Sequence, residues 1–174
     1  MDLWLLILAR IVHVVASVCW AGGAFILFLF IEPTAKTLAP DGNKFLQHMI
    51  ARGRFGIFMT VSSTLTVLSG IPLFWQDAGG NLLAWAQTGP GLGFTLGTIA
   101  GIAVFVVGMF LIRPRADELG RLGSELQLAG GPPSPAQVAK LQTLGQEMAS
   151  LGKIDFVLLV AALVLMGTAR YWWF

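Results

Sequence analysis

Charge is scarce in this chain. Asp, Glu, Lys and Arg together make up 11% of its 174 residues, hydrophobic residues make up 56%, and the mean hydropathy is +0.77. That balance excludes an ordinary soluble domain. Cysteine is nearly missing too: Cys19 stands alone, so no intrachain disulfide can form. The chain has no zinc-spaced His/Cys cluster, no phosphate-binding loop and no catalytic triad, which removes hydrolase and kinase chemistry. It also lacks a separate basic domain. The formal charge of +2 and pI near 9.0 therefore do not describe a nucleic-acid binder.

What is present is long apolar runs. Four of them meet the requirement of about 20 residues for a helical span: about 3–31, 50–75, 93–112 and 154–174. The first has Asp2 in place of a basic n-region and is too long for a signal-peptide core, so it reads as a retained span. It meets Glu32-Pro33 as its stop. The helix of the second is expected to begin earlier, near Asn43. These runs predict an all-α, four-helix integral membrane bundle forming a single domain.

Nine of the eleven Lys and Arg residues lie in two gaps between the runs. Lys36, Lys44, Arg52 and Arg54 fall in 32–54; Arg113, Arg115, Arg121, Lys140 and Lys153 fall in 113–153. The 76–92 gap carries Asp77 and no basic residue. Basic residues stay on the cytoplasmic side, so both termini are expected outside a bacterial inner membrane. Trp4, Trp75, Trp85, Trp172 and Trp173 then gather at the outer interface, where indole prefers to sit.

Small residues mark the packing faces. Gly93, Gly97, Gly101 and Gly108 share one face of the third span; Gly56, Thr60, Ser63, Val67 and Gly70 form a similar stripe on the second. Pro72 is expected to kink the second span. The 113–153 segment is predicted to extend spans three and four as a cytoplasmic helical hairpin. Its turn is Gly130-Gly131-Pro132-Pro133, and Ser134-Pro135-Ala136-Gln137 reads as a capping box. Glu32 and Asp155 are expected in an ion-pair cluster with Arg52, Arg54 and Lys153.

His13 is the most informative side chain. It lies within the first span on a face shared with Arg10, Ser17, Trp20, Ala24 and Leu27, a polar and small face that should turn away from lipid. The plain reading is a histidine bonded to a neighbouring helix. The sharper one is an axial ligand of haem b. Counting about 1.5 Å per residue puts His13 roughly 6 Å, and Met166 roughly 5 Å, outward of the middle of their spans. Met166 is therefore the candidate second ligand, for haem or alternatively for copper. His48 falls on the order of 20 Å lower and cannot join them in one protomer. Arg10 and Arg170 lie near the outer end, placed to hold haem propionates or to snorkel. A homodimer supplying His13 twice is a further arrangement. Met59, Met109 and Cys19 read as core filler.

The segment His13-Val-Val-Ala-Ser-Val-Cys-Trp20-Ala-Gly22-Gly23 resembles the first-helix signature of the copper-resistance D (CopD)-like membrane superfamily, related to the HemJ-type protoporphyrinogen oxidases. Arg52-Gly-Arg54-Phe-Gly-Ile-Phe-Met59-Thr60 is similar to the second helix of the same proteins, and the stretch from Asp155 through Arg170-Tyr171-Trp172 resembles small relatives. The resemblance implies a four-helix unit in which the residue matching His13 ligates haem or a metal. The chain departs from the HemJ pattern in having no further His at the end of the first helix and no Lys within any span, so no enzyme activity is carried over. The expected function is electron transfer, or a place in a larger membrane redox complex within the lipid bilayer. Copper handling and a cofactor-free accessory subunit are the alternatives.

Overall fold

Apolar runs of this length have one way to satisfy their backbone without water, which is to coil. The computed structural model describes residues 2–173, with the side chains of Ala51 and Arg52 outside that description; Phe174, the expected end of the fourth span, also lies outside it. All regular structure among the described residues is helical. Four helical rods are long and apolar enough to cross a membrane: Leu3–Thr37, Arg54–Asp77, Gly89–Ala129 and Pro135–Tyr171.

The first rod comprises α1 (Leu3–Ile26), a π-helical turn (Leu27–Ile31) and α2 (Glu32–Thr37). After α3 (Asp41–Gln47) and a second π turn (His48–Arg52), the chain breaks at Gly53 and resumes as α4 (Arg54–Asp77). The second span thus has two helices ahead of and within it, where one starting near Asn43 was expected. Gly53 is extended (φ −78°, ψ 170°), and a Cβ on it would fall 2.6 Å from the Met49 carbonyl oxygen. The 76–92 gap holds a short helix, α5 (Leu82–Ala86), capped by the Asn81 side chain. Next come α6 (Gly89–Val106), a third π turn (Val107–Ile112) and α7 (Arg113–Ala129). Last is α8 (Pro135–Thr168), which ends in a 3₁₀ turn, Ala169–Tyr171.

Two prolines do not stop their helices. Pro33 and Pro114 each follow a π turn and sit in the first turn of the next helical stretch. A proline ring clashes with the carbonyl four residues back and lacks an N–H. The wider π turn absorbs both effects, so the rods continue. Within α4, helical geometry also runs through Pro72.

The rods form two antiparallel pairs, α1 with α4 and α6 with α8. In the second pair Gly93 receives Ala169 and Gly97 receives Met166. A Cβ on these glycines would come within 2.8 Å of Ala169 Cβ and 2.6 Å of Met166 Cγ, which explains the small residues on that face. The pairs join around Trp20, Ala21, Val104 and Leu159, with Met59 and Phe105 packed alongside. Phe156 then stacks on Phe28 at 4.4 Å and meets Phe25 edge-on at 5.0 Å. Most other large apolar side chains face outward, from Trp4, Leu8 and Val18 to Val157 and Val164. Outward apolar faces suit a hydrocarbon solvent, and with four such rods the chain is a multi-pass membrane protein.

Beyond the spans, α7 packs on the first turns of α8. Gly130 turns the chain in the left-handed region (φ 63°), and Ser134 and Gln137 exchange both bonds of the expected capping box. Arg115 meets Glu147 at 2.6 Å and Lys140 meets Glu118 at 2.5 Å across the hairpin.

Candidate functional site

The polar material inside the bundle lies mostly between α1 and α4. Its hydroxyls are largely self-satisfied: Ser62, Thr66 and Ser69 each donate to the carbonyl four residues back in α4, and Ser17 donates to the His13 carbonyl at 2.6 Å. That leaves the imidazole of His13 as the group that ties the two helices together. Its Nδ1 lies 2.8 Å from the Thr66 carbonyl oxygen. A carbonyl only accepts, so Nδ1 carries a proton, and Nε2 is the ring nitrogen that this bond leaves to another partner. Ser69 Oγ stands 3.5 Å from the same nitrogen.

Gly70 makes the fit possible. A Cβ there would fall 3.0 Å from His13 Cε1 and 3.2 Å from Nδ1, so the ring lies on bare backbone. Spacing alone puts Gly70 on a packing stripe but names no occupant for it, and it gives Thr66 and Ser69 no special place. The signal was the run of hydroxyls at helical spacing facing a stripe with a polar residue of its own.

The other candidate residues are distributed around this tie. Trp20 is 8% exposed and belongs to the core where the helix pairs join, two turns from His13. Ser17 is bonded within its own helix. Met166 lies in the groove at Gly97, with its methyl end 4.0 Å from where a Gly101 Cβ would be. His13 and Met166 are thus engaged by different helices, α4 and α6. Arg10 and Arg170 are exposed and make no hydrogen bond or ion pair among the described residues. His48 is exposed, in the π turn before α4. No group of three or more His, Cys, Asp and Glu is placed to hold a metal among the described residues.

Among the described residues the expected ion-pair cluster does not form around Asp155; the side chain of Arg52, one of its expected members, lies outside them. Glu32 pairs with Lys36 at 2.6 Å, one helical turn away, while Asp155 Oδ1 is buried with no hydrogen-bond partner. Arg113 reaches instead to Thr60 Oγ1 at 3.3 Å and Met109 Sδ at 3.6 Å. Asp155 is set on the inward face of α8, where the register of α6 against α8 decides its surroundings. Spacing alone carried no warning of that.

Compared with protein-family models, curated proteins and solved structures, the chain finds no match.

Proposed function

We propose that this chain is a multi-pass protein of the bacterial inner membrane that holds haem b through His13 and serves electron transfer or a membrane redox complex. The observation that carries the reading is the bond from His13 Nδ1–H to the Thr66 carbonyl. A ligating histidine commonly donates its second ring N–H to a carbonyl, which fixes the tautomer and aims the other nitrogen. Here that bond leaves Nε2 free, and Gly70 gives the ring its bed. The residues present fit one axial ligand. Haem bound there would supply one-electron chemistry at its iron.

Arg10 and Arg170, which have no partner among the described residues, are the proposed holders of the two propionates through charge-assisted bonds at the tryptophan-rich end. Met166 is the proposed second ligand within one protomer. Its place in the Gly97 groove favours the homodimer arrangement, in which His13 of each protomer supplies one ligand. The charge map supports a membrane orientation with both termini and the Trp-rich end outside and the α7/α8 hairpin in the cytoplasm.

Purified protein should show a Soret band that is lost in His13→Ala. Retention of the band in Met166→Leu selects the homodimer; loss or a spin-state change selects the His/Met pair. Colourless protein retaining copper overturns haem in favour of copper handling. Colourless, metal-free protein leaves an accessory subunit in which His13 only ties α1 to α4.

A further inference from the structure

Asp155 is the ionisable group that the proposed cofactor site does not use. It lies on the inward face of α8, one turn toward the basic end from buried Leu159 and in line with Ala162 and Met166. Its Oδ1 is buried and unpartnered, and the residue makes no hydrogen bond or ion pair among the described residues. The side chain as a whole is only half-buried, and Lys153, two residues nearer the basic end, is exposed.

The surroundings follow from helix register. Gly93 lies against Ala169, Gly97 against Met166, and Val104 shares the core with Leu159. One further turn of this antiparallel register brings Gly108 to the level of Asp155. Gly108 belongs to the π turn Val107–Ile112, and a Cβ on it would meet nothing within 4 Å, so the backbone leaves open space there. On the α1 side, Phe25 and Phe28 meet Phe156 at the same level, where the π turn Leu27–Ile31 begins. Two rods therefore depart from α geometry beside one orphaned carboxyl group. Turns of this kind concentrate at functional sites.

Residues 20–31, 55–63 and 101–112, which face this level from the other three rods, contain no titratable side chain. Among the described side chains, the charged groups just beyond them are Glu32, paired with Lys36; Arg113, held by Thr60; and Arg54 and Lys153, both exposed; the Arg52 side chain lies outside the described residues. A bare anion in such surroundings is costly. A metal cation would need several oxygen ligands, and the facing residues are almost wholly apolar. A proton needs only the carboxyl group itself.

We infer that Asp155 is a proton-binding site, a carboxylic acid within the bundle that exchanges its proton with the aqueous phase at the basic end. Uptake forms one O–H bond on the carboxylate and takes its charge from −1 to 0; release reverses this, and no electron moves. The site does not depend on haem at His13.

Infrared difference spectroscopy of the protein in lipid nanodiscs, titrated across pH, reads the site directly. The carbonyl stretch of a protonated carboxylic acid is expected at neutral pH, shifted in ²H₂O and lost in Asp155→Asn. Asp155→Glu should restore a band at a displaced frequency. In sealed vesicles, a pH step made with impermeant buffer on the side carrying the basic segments should change the band before the same step on the other side does. Circular dichroism of Asp155→Asn checks that the helices are retained, and Asp155→Glu keeps the assignment testable should the Asn variant misfold. The inference is overturned by a wild-type spectrum with no such band at neutral pH, by a band that survives in Asp155→Asn, or by a band abolished on addition of Na⁺ or Ca²⁺.

Discussion

His13 Nδ1 and the Thr66 carbonyl oxygen are 2.8 Å apart across the α1–α4 interface, and that single bond sets the tautomer of the one histidine within a span. Both the local packing at Gly70 and the availability of Nε2 follow from it.

Filling Gly70 should therefore break the tie. A Cβ at this position would crowd His13 Cε1 at 3.0 Å, and the neighbour is a ring seated on backbone with little room to yield. Gly70→Val is expected to cost about 1–3 kcal/mol by overpacking. Thermal unfolding in detergent measures this. If His13 holds haem, the Soret band should weaken in the same variant. An unchanged Tm would mean that the ring is not bedded on Gly70.

Removing the tie alone should cost less. An interhelical hydrogen bond in a membrane bundle is worth on the order of 0.6 kcal/mol. His13→Gln, which keeps a donor, should lie closer to wild type than His13→Leu. A loss of several kcal/mol in His13→Leu would show that the residue does more than join two helices.

The groove between α6 and α8 offers a coupled pair. Gly97→Ala would bring its new Cβ within 2.6 Å of Met166 Cγ, so it should destabilise the pair of helices by roughly 1–3 kcal/mol. Met166→Ala opens the groove, and the double variant should recover part of that loss. Strict additivity in the double-mutant cycle would contradict the contact.

Acid should loosen the α7/α8 hairpin ahead of the spans. The hydrogen bond from Lys140, and then its charge, hold Glu118 below the ordinary carboxylate value of 4.5. A depressed acid contributes stability above its unfolded value and loses it as pH falls through the folded one. Protection factors against hydrogen exchange in residues 113–150 should therefore fall below about pH 4.5 in the wild type, and less so in Glu118→Gln. Salt should mimic part of the effect, because the pair is solvent-exposed.

Orientation is open to labelling. In a Cys19→Ser background, a cysteine placed at Gly80 should react with an impermeant thiol reagent from outside the cell. One placed at Gly131 should react only after permeabilisation. The reverse pattern would invert the proposed topology.

Hydropathy and local chemistry alone determined the four spans, the division of basic segments, the small-residue faces and the Ser134–Gln137 cap. Each depends on a residue's own transfer energy or on neighbours within one helical turn. Tertiary structure alone decided that His13 meets α4 while Met166 meets α6, that Pro33 and Pro114 sit behind π turns without ending their rods, and that Asp155 Oδ1 is buried without a partner among the described residues. In lipid, every rod presents an apolar surface to hydrocarbon and to its neighbours alike. Which faces meet is then set by close packing and register between segments far apart in the chain, and no local pattern encodes that.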